Sequence, residues 1–416
     1  VLFSRIKTAY MDPSGVEYEP VSVKAVLSEM KDTAELLIDL SFSAVLLESE
    51  PLAHEVLNLE ARMDRLHLQG RMSLLMAARS PEDAEQLAPV LGVLAAAEKI
   101  SNAAGDVAKI VDENIGLPGA IRGALPEAIE LLVRASVADD SPYTAQTLAE
   151  LNLETETGVR VIGIRRSAPT GKQQWLANPD ATSTIQAGDT LLLRGPETGV
   201  EAVYEAVTGD SYTTPTSDVD PIDDLGRAVD TIILMKDMSE LAVDLAYGSV
   251  LLESVGVAEE VDELEMEVDS LQSRFEAWTL RAAARVDDPI KLRGLVHLAS
   301  ATEVISDAAL EISEGILRGI DAHPVVAAAV EESDEVIMRY SVDATAPLAG
   351  TSIGEAEIQT DTGMRIIAVR RAGSGWIIQP GSTTVLHGED IFIAKGTRAG
   401  AERLGRLVGD PQAFAE

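Results

Sequence analysis

The sequence predicts an α+β protein in which one unit, a helical module followed by a small β-rich module, occurs twice. Three observations predict this fold class. Apolar residues recur with helical periodicity from Ser22 to about Val111, and short apolar or β-branched runs follow after Arg134. The same order of patterns then returns about 205 positions later in the chain.

The internal repeat is clearest in one pair of segments. Met30–Ser49 aligns with Met235–Ser254 at an offset of 205 residues, with twelve of twenty positions identical. After a shorter loop in the second copy the offset becomes 201, which aligns Trp175 with Trp376. One register held over so many positions indicates duplication rather than chance.

The helical module is predicted to contain three long helices and a fourth, shorter one. Its sequence is rich in Leu, Ala, Glu and Met, and prolines at Pro51 and Pro81 indicate new helix starts. The fourth helix is predicted over Pro126–Val133. Helices of these lengths suit antiparallel packing in a bundle.

The β-rich module is predicted from runs bounded by Gly and Asp. Val159–Ile164 and Thr190–Leu193 read as strands, and Met364–Val369 and Asp390–Ala394 are their equivalents in the second copy. Glu197–Val207 reads as a closing helix. Between the copies, a segment rich in Ser, Thr, Pro and Asp predicts a flexible connector.

These patterns divide the chain into seven parts. They are a tail (1–21), a helical domain (22–133), a β-rich domain (134–207), a linker (208–224), a second helical domain (225–338), a second β-rich domain (339–410) and a tail (411–416).

Amino-acid composition narrows the range of possible functions and cellular locations. There are 69 acidic and 33 basic residues, a formal charge of −36, and no cysteine. Phosphate-mediated nucleic-acid binding is disfavoured because no basic patch is present. A cytoplasm at molar salt is the simplest interpretation of the charge, and a surface for a basic partner is the alternative. No run approaches the length of a membrane span or a secretory signal, so we expect a cytoplasmic chain.

Two families resemble this sequence. The segment TGVRVIGIRR (Thr157–Arg166), a following Trp and AGDTLLLRG (Ala187–Gly195) resemble the TrkA C-terminal (RCK-C) domain, and the second copy repeats them as TGMRIIAVRR and GEDIFIAKG. The helical part resembles the PhoU-like fold. The resemblance implies two all-α PhoU-like bundles alternating with two small α/β RCK-C domains, paired as an internal pseudo-dimer. No G-x-G-x-x-G run accompanies them, so we expect no NAD or ATP site of the Rossmann kind.

The RCK-C resemblance implies a small ligand, cyclic di-AMP or another nucleotide, in the cleft where two such domains meet. Guanidinium groups bind phosphates through paired hydrogen bonds, and aromatic or proline side chains can pack against a nucleotide base. The alternative is that the arginines pair with carboxylates and the tryptophans belong to the core. The candidate ligand-binding residues are Arg165, Arg166, Arg370, Arg371, Trp175, Trp376, Pro179 and Pro380.

The PhoU resemblance implies carboxylate pairs that hold a metal. In the second copy one helical face carries acids at i, i+4 and i+8, and another carries them at i, i+3 and i+7. Two such stripes facing each other would suit a hard divalent cation such as Mg²⁺ or Ca²⁺. Solvated acidic faces are the alternative, and Asn102 replaces one acid in the first copy. The candidate ligands are Glu303, Asp307, Glu311, Asp237, Glu240 and Asp244.

No catalytic motif is found, so we expect the protein not to be an enzyme. The resemblances imply a cytoplasmic regulatory subunit of a membrane cation transporter or channel, for K⁺ first and Mg²⁺ second, held at the inner face of the membrane by that partner. A phosphate-signalling adaptor of the PhoU type and a metal-dependent enzyme are the alternatives. Further pairing into a homo-oligomer stays open.

Overall fold

The structure is a computed structural model. It describes residues 22–118, 131–167, 173–177, 179, 181–212, 223–320, 324–332, 336–371, 375–378 and 380–409. None of the helices in these ranges is long and apolar enough to cross a membrane. Both predicted tails, and residues 213–222 of the predicted linker, lie outside the described residues.

The first copy begins with three long helices. A sheet with its short helices follows, and we call this β-rich part of the copy lobe 1. The elements of the first copy are α1 (Val23–Leu46), α2 (Glu50–Ala77), α3 (Pro81–Asp112), β1 (Leu131–Ser136), α4 (Leu148–Leu151), α5 (Leu153–Thr157), β2 (Arg160–Ser167), β3 (Gln173–Ala177), β4 (Thr190–Gly195) and α6 (Glu197–Thr208).

The second copy repeats this order and ends in lobe 2. Its elements are α7 (Asp223–Leu251), α8 (Val255–Ala283), a 3₁₀ turn (Pro289–Leu292), α9 (Arg293–Leu317), α10 (Pro324–Glu332), β5 (Val336–Ser341), α11 (Ile358–Thr362), β6 (Met364–Arg371), β7 (Gly375–Ile378), β8 (Ile391–Gly396) and α12 (Arg398–Val408).

The long helices of both copies share one continuous hydrophobic core. Buried apolar residues from α1 to α3 and from α7 to α9 belong to a single cluster, and α3 packs directly against α9. The Gly294 amide donates a hydrogen bond to the Gly116 carbonyl, 3.1 Å away, which joins the tip of the second hairpin to the end of α3. The two helical modules therefore fold as one body, because neither half of this core is complete alone.

Each lobe contains a four-stranded antiparallel sheet, in the order β1-β4-β2-β3 in lobe 1 and β5-β8-β6-β7 in lobe 2. The apolar run at β4 is explained by burial of both sheet faces. Leu191 and Leu193 face the core of lobe 1, whereas Leu192 joins the core of the helical bundle. Ile393 makes the equivalent contact with the bundle from lobe 2.

The two lobes also contact each other directly, where α5 packs against α11. The hydroxyl groups of Thr155 and Thr397 lie 3.1 Å apart, and those of Thr198 and Thr360 lie 3.3 Å apart. Arg403 donates to the Thr155 carbonyl across the boundary at 3.0 Å. The predicted internal pairing of the β-rich modules is therefore present in the structure.

Most of the elements predicted from periodicity are found within the described residues. The helix predicted over Pro126–Val133 lies mainly outside the described residues, and its last three residues belong to β1. Strands β1 and β5 lie across the predicted domain boundaries at 133/134 and 338/339. Both pair with the last strand of their sheet, a long-range partnership that local patterns do not reveal.

Close contact between the lobes requires glycine at two equivalent positions. Gly363 has φ of +73°, and a Cβ atom there would lie 2.4 Å from the Glu154 carbonyl oxygen of the other lobe. Gly158 has φ of +71°, and a Cβ atom there would lie 2.7 Å from the Gln359 carbonyl oxygen. The chain can approach this closely only without a side chain.

Substitution Gly363→Ala is expected to destabilise the pairing of the lobes. Gly209→Ala is the matched control, because Gly209 has a similar φ of +78° but no neighbouring atom within 4 Å. The control should lose about 1 kcal/mol of unfolding free energy from backbone strain alone. Gly363→Ala should lose about 1–3 kcal/mol more from the steric overlap. Urea unfolding measures both, and equal losses would contradict the described junction.

Candidate functional site

Charged side chains meet at the centre of the molecule, where both lobes lie against α1 and α7. We call this set the central ion cluster. It contains six cations and six carboxylates, and each member has an equivalent in the other copy at an offset of 205 or 201. Several members are almost fully buried, including Lys31 at 1% and Asp244 at 3% exposure. The members are Lys31, Asp32, Glu35, Asp39, Arg160, Arg194, Lys236, Asp237, Glu240, Asp244, Arg365 and Lys395.

Two lysines in the cluster make reciprocal contacts between the copies. Lys31 of α1 pairs with Glu35 at 2.8 Å and lies over the Tyr247 ring of α7, 5.6 Å from its centroid. Lys236 of α7 pairs with Glu240 at 2.8 Å and lies 5.7 Å from the centroid of the Phe42 ring of α1. The repeated sequence thus produces the same cation–π contact twice, once in each direction.

The cations from the sheets hold both helical modules at once. Lys395 of lobe 2 lies 2.5 Å from a carboxylate oxygen of Asp244 on α7 and 3.4 Å from one of Glu35 on α1. Arg194 of lobe 1 binds Asp39 on α1 and lies 3.7 Å from Glu240 on α7. Each lobe is therefore linked through one side chain to helices of both copies.

Pairs of cations lie directly opposite one another on neighbouring strands. Arg160 is the register partner of Arg194 in lobe 1, and Arg365 is the register partner of Lys395 in lobe 2. Like charges at such positions repel each other. Carboxylates from the helices offset this repulsion, and Asp244 also lies 3.3 Å from Arg365.

Burial and charge act in opposition on the carboxylates of the cluster. Burial raises the pKa of Asp244, and this effect exceeds the opposing influence of Lys395 and Arg365. Burial also acts on Glu240, but Lys236 and Arg194 outweigh it, so the pKa of Glu240 is lowered. Asp244 is therefore held in its charged form less firmly than Glu240.

Two small cavities adjoin the cluster at the junction of the lobes. The larger has a volume of about 40 Å³ and the smaller about 20 Å³. By size they admit a few water molecules and not a nucleotide. The larger cavity is lined by Asp39, Glu154, Gly158, Arg160, Arg194, Gln359, Gly363, Arg365, Lys395 and Gly396.

The predicted arginine pairs lie at the opposite end of each sheet from this junction. Arg166 donates to both carboxylate oxygens of Asp189, at 2.8 and 2.6 Å, and Arg371 does the same to Asp390, at 3.1 and 2.9 Å. Arg165 donates to the hydroxyl of Thr190 at 3.1 Å. Arg166 and Arg371 thus fix the turn before the last strand of each sheet, which matches the alternative considered from sequence.

Of the other predicted ligand residues, the two tryptophans lie on the strands next to these arginines. Trp175 is the register partner of Arg165, and Trp376 is the register partner of Arg370. Pro179 is buried, and Pro380 is partly buried. The contacts between the lobes given above are made by other residues. A ligand role for the eight residues stays a prediction, and the structure does not bring the two sets together at the junction.

The two predicted acidic stripes do not face each other. Asp237, Glu240 and Asp244 belong to the central ion cluster, where Lys236, Arg194, Lys395 and Arg365 neutralise them. Asp307 of α9 instead approaches two acids of α8, with ligand atoms of Glu265, Asp269 and Asp307 all within 4.8 Å of one another.

Acids outnumber cations in this second group, although the nearby Lys99 charge opposes the rise in the pKa of Asp307. Burial, with Asp307 and Asp269 nearby, raises the pKa of Glu303, and burial with neighbouring acids also raises the pKa of Glu265 and Asp307. Glu311 is turned towards Lys99 of the first copy. The metal role of the six residues stays a prediction. Glu265, Asp269 and Asp307 form a further group of oxygen ligands that suits a hard divalent cation.

The first copy differs at the equivalent place. Asn102 stands where the second copy has Asp307, and Lys109 stands where it has Glu314. The Lys109 ammonium donates to Asp106 at 2.7 Å, and its charge also lowers the pKa of the nearby Glu60, although burial and neighbouring acids raise that pKa overall. A built-in cation thus partly neutralises this group of acids.

Comparison with known proteins identifies the modules. The PhoU domain model matches residues 27–111 and 232–316, and the TrkA-C domain model matches residues 132–208 and 337–409. The chain therefore consists of PhoU domains and TrkA-C domains, each present twice and in alternation. No curated protein matches the sequence with statistical support.

Three solved structures that are similar to this chain are all of GsuK. The crystal structure of the GsuK RCK domain shares 14% identity over 69% of this chain and 68% of that chain, with a TM-score of 0.17. The GsuK channel shares 15% sequence identity over 70% of this chain and 57% of that chain. The GsuK channel bound to NAD shares 12% identity over 76% of this chain and 65% of that chain, and both have a TM-score of 0.18. The chain thus spans less than two thirds of the two channel structures.

Substitution of the two neighbouring arginines of lobe 2 should have unequal effects. Arg371→Gln leaves the buried Asp390 carboxylate without its cation and should cost about 2–4 kcal/mol of unfolding free energy at pH 7. The exposed Arg370 is the matched control, and Arg370→Gln should change stability by less than about 0.5 kcal/mol. Urea unfolding measures the difference.

The cost of Arg371→Gln should also depend on pH. Burial opposes ionisation of Asp390, but hydrogen bonds from Arg371 and the His387 amide outweigh it and lower the pKa of Asp390. The stabilisation is thus present above the ordinary aspartate pKa of about 3.9 and is lost as pH falls through the lower folded value. A difference between the variants that does not shrink as the pH falls below about 3.9 would contradict this assignment.

The acidic group of the second copy is predicted to bind one divalent cation per chain. Isothermal titration with Ca²⁺ and Mg²⁺ should show one site, and Asp307→Asn should weaken binding at least about tenfold because one charged ligand is lost. Glu276→Gln, which removes an exposed charge elsewhere on α8, is the control and should bind normally. Unchanged binding in Asp307→Asn would exclude this location.

Proposed function

We propose that this chain of alternating PhoU and TrkA-C domains is a cytoplasmic regulatory subunit of a membrane cation transporter or channel, most simply one for K⁺. Its TrkA-C domains would bind a small ligand such as cyclic di-AMP or another nucleotide at their junction. Its PhoU domains would carry the effect to the transporter at the inner face of the membrane. The domain composition supports this role, since TrkA-C domains are modules of potassium-transport regulators.

One observation carries the proposal. The two TrkA-C domains meet across a cation-lined cavity, and the same cations bind carboxylates on helices of both PhoU domains. A change in the relative position of the lobes therefore alters contacts with α1 and α7 directly. A ligand shifts this equilibrium by its difference in affinity for the two arrangements.

The size of the cavity supports a two-state mechanism. About 40 Å³ is too small for a nucleotide, so a ligand of that size requires the lobes to part. Parting exchanges contacts between the lobes for contacts with the ligand. The described arrangement would then be the ligand-free state, with both lobes seated on the helical bundle.

A second candidate function is a phosphate-signalling adaptor acting through the PhoU domains. The two matches to the PhoU domain model favour it. In that case the helical surface, and not the junction of the lobes, would make the functional contacts. A metal-dependent phosphoesterase is the third possibility, and it requires both bound metal and hydrolysis.

Calorimetry with three ligands separates these functions. A K⁺-transport regulator should bind cyclic di-AMP or ATP with one site per chain, because the two lobes form one junction. Cells lacking the chain should then show altered K⁺ uptake that returns when it is restored. Binding of phosphate alone, with unchanged K⁺ uptake, would favour the adaptor, and metal-dependent hydrolysis of a phosphoester would favour the enzyme.

A further inference from the structure

The cations at the junction are already used by carboxylates of the helical bundle. Arg194 binds Asp39, and Lys395 binds Asp244 and Glu35. Over the whole central ion cluster, six positive charges meet six negative charges among the described residues. An incoming anion therefore meets cations in the cavity wall that are already bound by helix carboxylates. The cluster as a whole carries no surplus of positive charge.

The charges are unevenly placed between the lobes and the helices. Four of the six cations lie at the ends of strands β2, β4, β6 and β8, and all six carboxylates lie on α1 and α7. The cluster is thus a boundary between two bodies of opposite local charge. Its ion pairs hold the lobes on the bundle, together with the apolar contacts of Leu192 and Ile393.

From this arrangement we infer that an anionic ligand binds the junction by exchange. It replaces the carboxylates of α1 and α7 on Arg194, Arg365 and Lys395, with Arg160 beside them in the cavity wall, and so releases the lobes from the helical bundle. This inference rests on the proposed function, which it deepens by fixing the ligand class and the sign of the coupling. Ligand binding and the seating of the lobes on the helices oppose each other. No covalent step is involved.

If the ligand binds by exchange, its affinity depends on how tightly the helix carboxylates hold the junction cations. By reciprocity, whatever weakens the hold of the helices on these cations strengthens ligand binding by the same factor. Neutralising a helix carboxylate therefore acts like a partial release of the lobes. Carboxylates outside the cluster have no such effect, because they do not compete for these cations.

Calorimetry with inorganic pyrophosphate tests the exchange in the intact chain. Asp39→Asn and Asp244→Asn should each bind this anion about tenfold more tightly than the unaltered chain, since each removes one competing charge within a few ångströms. Glu201→Gln, an exposed acid on α6, is the matched control and should leave the affinity unchanged. Thermal melts of each variant establish that it is folded.

Cation variants complete the test. Arg365→Gln should abolish the binding of pyrophosphate, whereas Arg406→Gln, which removes an exposed cation on α12, should not change it. Unchanged or weaker binding in both folded carboxylate variants would overturn exchange, and so would an absence of binding in every variant. Neither result bears on K⁺ uptake, so the regulatory role would stand or fall separately by its own experiment.

Discussion

Neutralisation of buried charge at one point constrains the whole molecule. Six cations and six carboxylates meet where two helices and two sheets converge, and an unpaired member in this setting would cost several kcal/mol. The pairs do not stabilise the fold strongly, since removing ions from water offsets most of their attraction. Their effect is on geometry, because this placement of the lobes brings Arg194 and Lys395 against carboxylates of both α1 and α7.

Duplication of the sequence explains the symmetry of this cluster, and divergence of the two copies explains its asymmetric positions. Each half supplies the same pattern of charges, so each completes the other, as two identical subunits of a dimer would. Covalent linkage frees the copies to diverge. Lys395 stands where the first copy has Arg194, and the acidic group near Asp307 has a built-in cation, Lys109, in its first-copy equivalent. The molar-salt interpretation of the overall charge stays a prediction.

The sequence predicted those features that depend on local pattern. The boundaries of the three long helices and the strands beginning near Arg160 and Thr190 follow from periodicity and from the repeat. The pairing of the copies is implied by the resemblance to the RCK-C domain. The arginine pairs were the visible concentration of positive charge, and their partners Asp189 and Asp390 lay close in sequence. Residues with charges inside apolar strands, such as Arg160 and Arg194, were the better signal for the junction. The Arg194 partner Asp39 lies 155 residues away in sequence, and no local pattern joins the two residues.

The central claim is that the two lobes pair with each other inside one chain. Because the protein has no cysteine, Glu201→Cys and Glu402→Cys place spin labels at equivalent exposed positions of α6 and α12 only. Pulsed electron spin resonance should show one narrow distance distribution that is unchanged when labelled protein is diluted with unlabelled protein. A broad distribution, or a distance that disappears on dilution, would show that the lobes are separate or pair between chains, and would contradict this account.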